Sequence, residues 1–194
     1  SRLGPLSFVC SKQLLTIYDK PMIFYSVSML ILCKVNKLII VTKTRDLEVY
    51  KRLLGDGKQL GVTIQYVVQD NSLGIPHAIG LCSNFIKTNK FLVCLGDNIF
   101  HGSGMLAHLT SFLEEDKFGA KIFLKYVYDP RYFGVAKINT DGTIIRMVEK
   151  PRSKVSNYAV TGIYGFDKTI FKKIKELNLS PRGELEIIDI LNNY

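Results

Sequence analysis

Residues 38–68 of the 194-residue chain run LIIVTKTRDLEVYKRLLGDGKQLGVTIQYVV, and this stretch divides into strand, helix and strand signals. Residues 38–41 form a short apolar run, as expected for a strand that is covered on both faces. Residues 44–54 predict a helix that ends at the glycines of residues 55–57, and residues 63–68 are rich in strand-forming side chains. A strand, a helix and a second strand in this order predict an α/β fold with a mostly parallel sheet.

The rest of the chain continues the same alternation. No linker, repeat or low-complexity tract interrupts it, so one domain is expected at this length. A hairpin is predicted over residues 135–148, with Asp141-Gly142 at its turn. The further predicted strands are residues 91–95, 120–128 and 159–166, and the further predicted helices are residues 21–35, 73–86, 105–115, 168–177 and 184–192.

Charge and composition narrow the classes of partner. Lysine and arginine number 26 against 17 acidic residues, and the resulting charge of +9 favours anionic partners. The basic residues are scattered and form no basic arm, so a nucleic-acid partner is not expected. The longest uncharged apolar stretch, residues 21–33, is too short to span a bilayer, and no signal peptide is recognised at the start.

The cysteines indicate a reducing compartment. Cys10, Cys33, Cys82 and Cys94 form no C-x-x-C pair, so a zinc site is not expected. The last three lie in apolar segments and are interpreted as buried free thiols. A cytoplasmic location follows as the expectation.

Two segments at predicted strand ends could carry chemistry, because ligands of such sheets bind beyond the carboxyl ends of the strands. Gly96 and then Asp97 follow the strand at residues 91–95, and the Asp97 carboxylate there could hold Mg²⁺ bound to a phosphate, or Asp97 and Asn98 could simply form a turn. Glu149-Lys150-Pro151 could bind a hydroxyl and a phosphate, or could be a solvated strand end. No phosphate-loop, dinucleotide-binding or serine-hydrolase motif is present.

Six segments, taken together and in order, resemble the sugar-1-phosphate nucleotidylyltransferase family. The resemblance implies a Rossmann-like nucleotidyltransferase fold, with helices on both faces of a mixed, mostly parallel sheet. It also implies one domain over residues 1–194, with a nucleotide-binding part at roughly 1–128 and a sugar-phosphate-binding part at 129–194. The matching segments are SKQLLTIYDKPMI (11–23), LGDG (54–57), LGDN (95–98), EKP (149–151), NYAVTG (157–162) and RGELEI (182–187).

The same resemblance implies a reaction: Mg²⁺-dependent transfer of a thymidylyl group from dTTP to glucose 1-phosphate, with release of pyrophosphate. A uridylyl- or cytidylyltransferase of the same fold, or an inactive binding module, are the alternatives. A homotetramer is expected for the intact protein. The roles implied are Arg2 and Lys12 for the triphosphate, Asp97 for Mg²⁺, Gln69 and Gly74 for thymine, Lys150 and Arg182 for the sugar phosphate, and Gly134, Glu149, Val160, Gly162 and Tyr164 for glucose.

The chain also departs from the family pattern. The family begins with a strand and a GGxGTRLxPLT loop, whereas this chain begins SRLGPLS, and it stops before the family part that carries a second aspartate for Mg²⁺. We therefore infer a piece of a longer protein, and the inactive-module alternative follows from the same two departures. Phe133 stands where the family usually has tyrosine, and Pro76-His77 differs from the usual Ala-Gln.

Overall fold

A computed structural model describes Gly4 and residues 10–194. Its strands are β1 (Thr16–Ile17), β2 (Lys20–Pro21), β3 (Lys37–Thr42), β4 (Thr63–Val68), β5 (Lys90–Cys94), β6 (Ala120–Tyr126), β7 (Gly134–Ile138), β8 (Ile144–Glu149) and β9 (Tyr158–Asp167). Its α-helices are α1 (Ile23–Leu32), α2 (Thr44–Leu54), α3 (Ile75–Leu81), α4 (Met105–Glu114), α5 (Ile170–Lys175) and α6 (Ile187–Asn192). Short 3-10 helices occur at Lys12–Leu14, Lys58–Leu60 and Pro130–Tyr132.

The chain packs as two compact units. Unit 1 comprises Ser1–Asn71 and Cys94–Glu115, and unit 2 comprises Ser72–Val93 and Asp116–Tyr194. These units are defined by packing and not by ligands. The division of binding roles near residue 128 therefore stays a prediction.

Unit 1 contains the predicted strand, helix and strand. β3 and β4 pair in parallel, from Lys37 opposite Thr63 to Thr42 opposite Val68, and α2 is the crossover between them. Gly55 follows α2 with φ of 58°, in the left-handed region that glycine adopts readily, and so ends the helix where the sequence predicts. The core of this unit is formed by Ile23, Val27, Leu38, Tyr50, Leu54, Val62 and Ile64.

Unit 2 is built on a sheet with strand order β5-β9-β7-β8, in which β6 also pairs with β9. Within it, β6 and β9, β7 and β8, and β7 and β9 are antiparallel. The predicted α/β class is therefore confirmed as helices with mixed sheets, in which β3 and β4 are parallel and the three pairings just named are antiparallel. A turn as short as the one between β7 and β8 permits only antiparallel pairing, and β9 then extends the sheet in the same manner.

Three helices of unit 2 are shorter than predicted. α3 begins at Ile75 because Gly74 before it has φ of 94°, and turns follow it from Cys82. α5 and α6 likewise span only Ile170–Lys175 and Ile187–Asn192. Side chains just outside a helix can share its apolar pattern when they pack on the same core, so periodicity alone overestimates the length.

The structure also bears on two sequence predictions, those of free cysteines and of no membrane-spanning helix. All four cysteines are free, with Cys33 and Cys82 buried and Cys94 half-buried. Within residues 10–194, no helix combines the length and the apolar character that crossing a bilayer requires.

Candidate functional site

Lys12 and Asp97 are brought together in unit 1. The Lys12 Nζ atom lies 3.6 Å from Asp97 Oδ2, and the two side chains are 45% and 33% exposed. Gly96 allows this approach, because a Cβ atom there would stand 3.0 Å from both Gln13 Cγ and Ile23 Cδ1. The glycine of the LGDN segment thus lets Gln13 of the Lys12–Leu14 helix approach residue 96 closely, and the Asp97 carboxylate beside it is exposed.

Asp97 has the chemistry of a magnesium ligand. Mg²⁺ prefers oxygen ligands and is commonly held by one or two carboxylates together with substrate phosphates and water. Asn98 Nδ2 donates a hydrogen bond of 3.0 Å to Asp97 Oδ1, which orients the carboxylate. Within the described part of the chain, no group of three or more His, Cys, Asp or Glu side chains could hold a metal. One carboxylate would hold Mg²⁺ only together with further oxygen ligands such as those of a phosphate, and metal binding at Asp97 stays a prediction.

Arg2 and Gln69 are also predicted from the sequence to contact the nucleotide. Arg2 lies outside the described residues. Gln69 directly follows β4, and its backbone N–H donates a 2.8 Å hydrogen bond to the Thr42 carbonyl at the end of β3. Its contact with a base stays a prediction.

Gly74, in unit 2, has a structural reason to be glycine. Its φ of 94° is left-handed, and a Cβ atom there would fall 2.2 Å from the Leu185 carbonyl oxygen. Leu185 N–H in turn donates a 2.9 Å hydrogen bond to the Leu73 carbonyl. Close backbone packing against the segment that follows Arg182 therefore requires this glycine. The base contact implied by the resemblance stays a prediction.

Three residues predicted to bind glucose 1-phosphate lie around a fourth, Glu149, in unit 2. Gly134 pairs with Glu149 across β7 and β8, and a Cβ atom at Gly134 would stand 3.0 Å from Glu149 Oε2 and 2.5 Å from Ile188 Cδ1. The Lys150 Nζ and Arg182 Nη2 atoms lie 3.7 Å and 3.4 Å from Glu149 Oε1. The cluster combines a carboxylate that can accept from sugar hydroxyls with two cations that can bind a phosphate.

The Glu149 carboxyl is electrostatically perturbed. Burial raises its pKa first, and the negative charge of Glu186 raises it further, while Lys150 and Arg182 act in the opposite direction. A carboxyl with a perturbed pKa between two cations is typical of a binding or catalytic site, although structural ion pairs also produce such shifts.

Glu186 was not identified from the sequence. It is 8% exposed and binds Arg182 through two hydrogen bonds, from Nε to Oε1 at 3.0 Å and from Nη2 to Oε2 at 2.6 Å. Ser180 Oγ donates to the same Oε1 atom at 2.7 Å. Burial alone would raise the pKa of Glu186, but these hydrogen bonds outweigh it and lower the pKa. The four-residue spacing of Arg182 and Glu186 is the one at which side chains meet on a helix, but Glu186 precedes α6 in extended conformation, so this contact is made outside a helix.

Lys150 has an unusual backbone. Its φ is 40°, a left-handed value that is costly for a residue with a side chain. Its N–H donates a 3.0 Å hydrogen bond to the Phe133 carbonyl, and Pro151 follows it. The residue before a proline avoids the right-handed helical region, which removes one relaxed alternative. The chain therefore turns sharply at Lys150, directly after Glu149.

The other predicted glucose residues lie on β9. Val160 is half-buried, Gly162 is buried, and Tyr164 is 3% exposed with its ring stacked on Phe166 at 5.9 Å. Burial raises the pKa of the Tyr164 hydroxyl, and the charge of Glu149 adds to the rise. Tyr164 thus lies within the field of Glu149 but is a packed side chain. Roles for these three residues in glucose binding stay predictions.

A family profile and a curated relative both match this chain over its whole length. The profile of the nucleotidyl transferase family matches residues 1–194. A glucose-1-phosphate thymidylyltransferase from Xanthomonas campestris pv. campestris (strain B100) is 41% identical over 194 residues, and the chain spans 65% of that relative's length. The identity holds along the whole chain, as the six sequence segments predicted.

Solved structures confirm the predicted nucleotidyltransferase fold. A Bacillus anthracis protein assigned as a glucose-1-phosphate thymidylyltransferase, in complex with a sucrose, matches with a TM-score of 0.89 and 42% identity, covering 97% of this chain and 76% of the other. A UDP-glucose pyrophosphorylase complexed with UDP-glucose matches with a TM-score of 0.84 and 26% identity, covering 99% and 81%.

Proposed function

This chain belongs to the nucleotidyl transferase family, and from that premise we propose that the whole protein transfers a thymidylyl group from dTTP to glucose 1-phosphate. The observation that carries the proposal is the 41% identity, over the entire chain, to a glucose-1-phosphate thymidylyltransferase. The charge of +9 is consistent with it, because both substrates are phosphate anions.

The proposed reaction forms one P–O bond and breaks another. A phosphate oxygen of glucose 1-phosphate attacks the α-phosphorus of dTTP, and pyrophosphate leaves. The attacking oxygen is already an anion, so no strong general base is required, and catalysis rests on alignment and charge neutralisation. We therefore assign charged side chains, and not a proton-transfer pair, to the chemical step.

Unit 1 supplies the groups for the nucleotide in this proposal. Lys12 would bind the triphosphate and the departing pyrophosphate with its ammonium group, and Arg2 would assist it. Asp97 would hold Mg²⁺, which supplies charge neutralisation at the phosphates when bound. The 3.6 Å separation of Lys12 and Asp97 supports a shared role, because both groups can then serve the same phosphate oxygens.

Unit 2 supplies the groups for glucose 1-phosphate. Lys150 and Arg182 would bind its phosphate, and Glu149 would accept hydrogen bonds from glucose hydroxyls. The hydrogen bonds from Arg182 to Glu186 limit the rotation of the guanidinium group, and pre-organised donors bind a phosphate at a lower entropic cost. Gly134, Val160, Gly162 and Tyr164 would form the surrounding walls.

The test is pyrophosphate release in the presence of glucose 1-phosphate and Mg²⁺, with dTTP, UTP, CTP and GTP assayed separately. Release should be greatest with dTTP, and Lys12→Gln should lower it. Lys58→Gln is the matched control, since the Lys58 side chain is 87% exposed and pairs with Asp56 instead. No release with any nucleotide would contradict the proposal.

The UTP assay addresses a second candidate. The UDP-glucose pyrophosphorylase structure shares the fold at 26% identity, and the phosphate-binding groups described above carry no information about the base. Release that is faster with UTP than with dTTP would identify a uridylyltransferase. Binding of dTTP without pyrophosphate release would identify the inactive module.

The homotetramer remains a prediction from the family resemblance. Light scattering on the purified protein would test it, and a mass of one chain at assay concentration would contradict it.

A further inference from the structure

The segment that carries Gln69 is attached to two neighbouring elements of unit 1. Gln69 N–H donates to the Thr42 carbonyl at 2.8 Å, which continues the β3 and β4 pairing. The next residue, Asp70, accepts from Thr44 N–H at 2.8 Å through Oδ1 and from Thr44 Oγ1 at 2.7 Å through Oδ2. The chain on both sides of the Gln69 side chain is thereby held at the junction of β3 and α2.

The Asp70 carboxylate accepts hydrogen bonds at the N-terminus of α2. The N-cap residue of this helix is Lys43, which forms no capping hydrogen bond with its side chain. The N–H groups of the first turn lack acceptors inside the helix, and the positive end of a helix favours a negative charge. The Thr44 hydroxyl, then its N–H group, and finally the charge of Lys43 hold the pKa of Asp70 below its ordinary value. Asp70 therefore acts as a cap supplied from another part of the chain.

The same turn of α2 also holds the residue before Lys12. Ser11 Oγ donates a short hydrogen bond to Asp46 Oδ2, and Arg45 Nε donates to that oxygen at 3.2 Å. Asp46 is 3% exposed, so its carboxylate is a buried and oriented acceptor. Ser11 is thereby fixed directly before the Lys12–Leu14 helix, from which Lys12 approaches Asp97.

We propose that the first turn of α2 is a positioning element for the nucleotide, with Asp70 positioning Gln69 for base recognition and Asp46 positioning Lys12 for the triphosphate. This inference rests on the function proposed above. It adds two positioning residues with different effects. Asp70 affects which base is preferred, whereas Asp46 affects the affinity for every triphosphate equally.

Calorimetric titration with dTTP and dCTP, in the presence of Mg²⁺, tests the Asp70 part on the full protein. The two nucleotides share sugar and phosphates, so the ratio of their Kd values reports on the base alone. Asp70→Ala should reduce the preference for dTTP by roughly fivefold or more, because a loosened Gln69 segment no longer presents its amide in one orientation.

The matched control is Asp56→Ala. Asp56 Oδ1 accepts a 3.1 Å hydrogen bond from Lys58 N–H. Asp56→Ala therefore also removes an exposed carboxylate that accepts from the backbone, but neither Asp56 nor Lys58 is next to a predicted site residue. Its Kd ratio should equal that of the unchanged protein. Thr44→Val, which removes only the hydroxyl donor, repeats the test with a smaller change and should also reduce the preference. An unaltered ratio in a folded Asp70→Ala or Thr44→Val variant would overturn the role of Asp70.

Ser11 variants test the Asp46 part. Ser11→Ala removes the hydrogen bond to Asp46, and it should weaken dTTP and dCTP binding by the same factor, roughly threefold to tenfold, with an unchanged ratio. Ser11→Thr keeps the hydroxyl and should restore most of the affinity. A change in the ratio, or equal affinities of the Ala and Thr variants, would overturn this part.

The outcomes separate this inference from the proposed function. If the unchanged protein binds neither nucleotide, the proposed function fails and the inference fails with it. If the unchanged protein prefers dTTP and releases pyrophosphate while the variants behave like Asp56→Ala, the function stands and only the inference is overturned.

Discussion

The Lys12 ammonium nitrogen lies 3.6 Å from Asp97 Oδ2, although the two residues come from the two separate segments that make up unit 1. Both side chains remain partly exposed, so the pair is screened by water and contributes little to stability. In the proposed function, this pair would instead bind the phosphates and the Mg²⁺ of the nucleotide.

The first prediction concerns the carboxylate of Asp97. Asp97→Asn should reduce Mg²⁺-dependent pyrophosphate release by roughly a hundredfold or more, because the amide is a poor ligand for the ion. The free energy of unfolding should change by only about 0–1 kcal/mol, as expected for an exposed pair. Chemical denaturation and the release assay measure the two quantities. Asp116→Asn, at an exposed loop position, is the control, and normal turnover of Asp97→Asn would contradict the assignment.

The second prediction separates close packing from backbone conformation at two glycines. Gly74 and Gly104 each precede a helix with φ of 94° and 81°, but only Gly74 would place a Cβ atom against backbone, 2.2 Å from the Leu185 oxygen. Gly74→Ala should destabilise the protein by roughly 2–5 kcal/mol and Gly104→Ala by about 1–2 kcal/mol. Urea denaturation of both variants gives the comparison, and equal losses would mean that the Leu185 contact relaxes freely.

The third prediction concerns the pKa of Glu149. Glu186→Gln removes the neighbouring negative charge, so the pKa of Glu149 should fall, and Arg182 should lose its two-point attachment. Carboxyl carbon NMR on ¹³C-labelled glutamate measures the titration. Folding raises this pKa, so the folded protein loses stability as the pH rises above the ordinary pKa of a glutamate carboxyl and Glu149 ionises. In Glu186→Gln, this loss of stability should be smaller.

Glu184→Gln is the matched control for that experiment. Glu184 Oε2 lies 4.0 Å from Arg182 Nη2, and its charge is not among the causes of the Glu149 shift. Its removal should leave the Glu149 titration in place. An equal fall of the Glu149 pKa in both variants would mean that Glu186 has no specific effect.

The fourth prediction concerns alkaline stability. Burial raises the pKa of the Cys82 thiol from 9.0 to about 11. Between these values the unfolded chain loses the proton while the folded chain keeps it, so stability falls as pH rises through this window, by on the order of 2 kcal/mol. Cys82→Ala should remove that part of the slope between pH 9 and 11 while leaving the slope between pH 7 and 8 unchanged. Identical slopes above pH 9 would show that the thiol is accessible.

Local signals were sufficient for much of unit 1. The bounds predicted for α2 and β4 agree with the structure, because a run of strand-forming residues and a glycine in the left-handed region act on the backbone within a few residues. Unit 2 was harder. Gly74 shortens α3 through its conformation, and the antiparallel pairing of β9 with β6 joins segments that are distant in sequence.

The candidate site shows the same division. The residue types at strand ends, Asp97 and the Glu149-Lys150 pair, could be identified from the sequence because the ends of strands in an α/β sheet are where ligands bind. The hydrogen bonds of Thr44 with Asp70 and of Ser11 with Asp46 could not be predicted from the sequence. The sequence by itself determined the order of the elements and the chemical groups available. Only the tertiary structure decided which of those groups meet, because a hydrogen bond needs its donor and acceptor within about 3 Å and chain spacing does not specify that distance across loops.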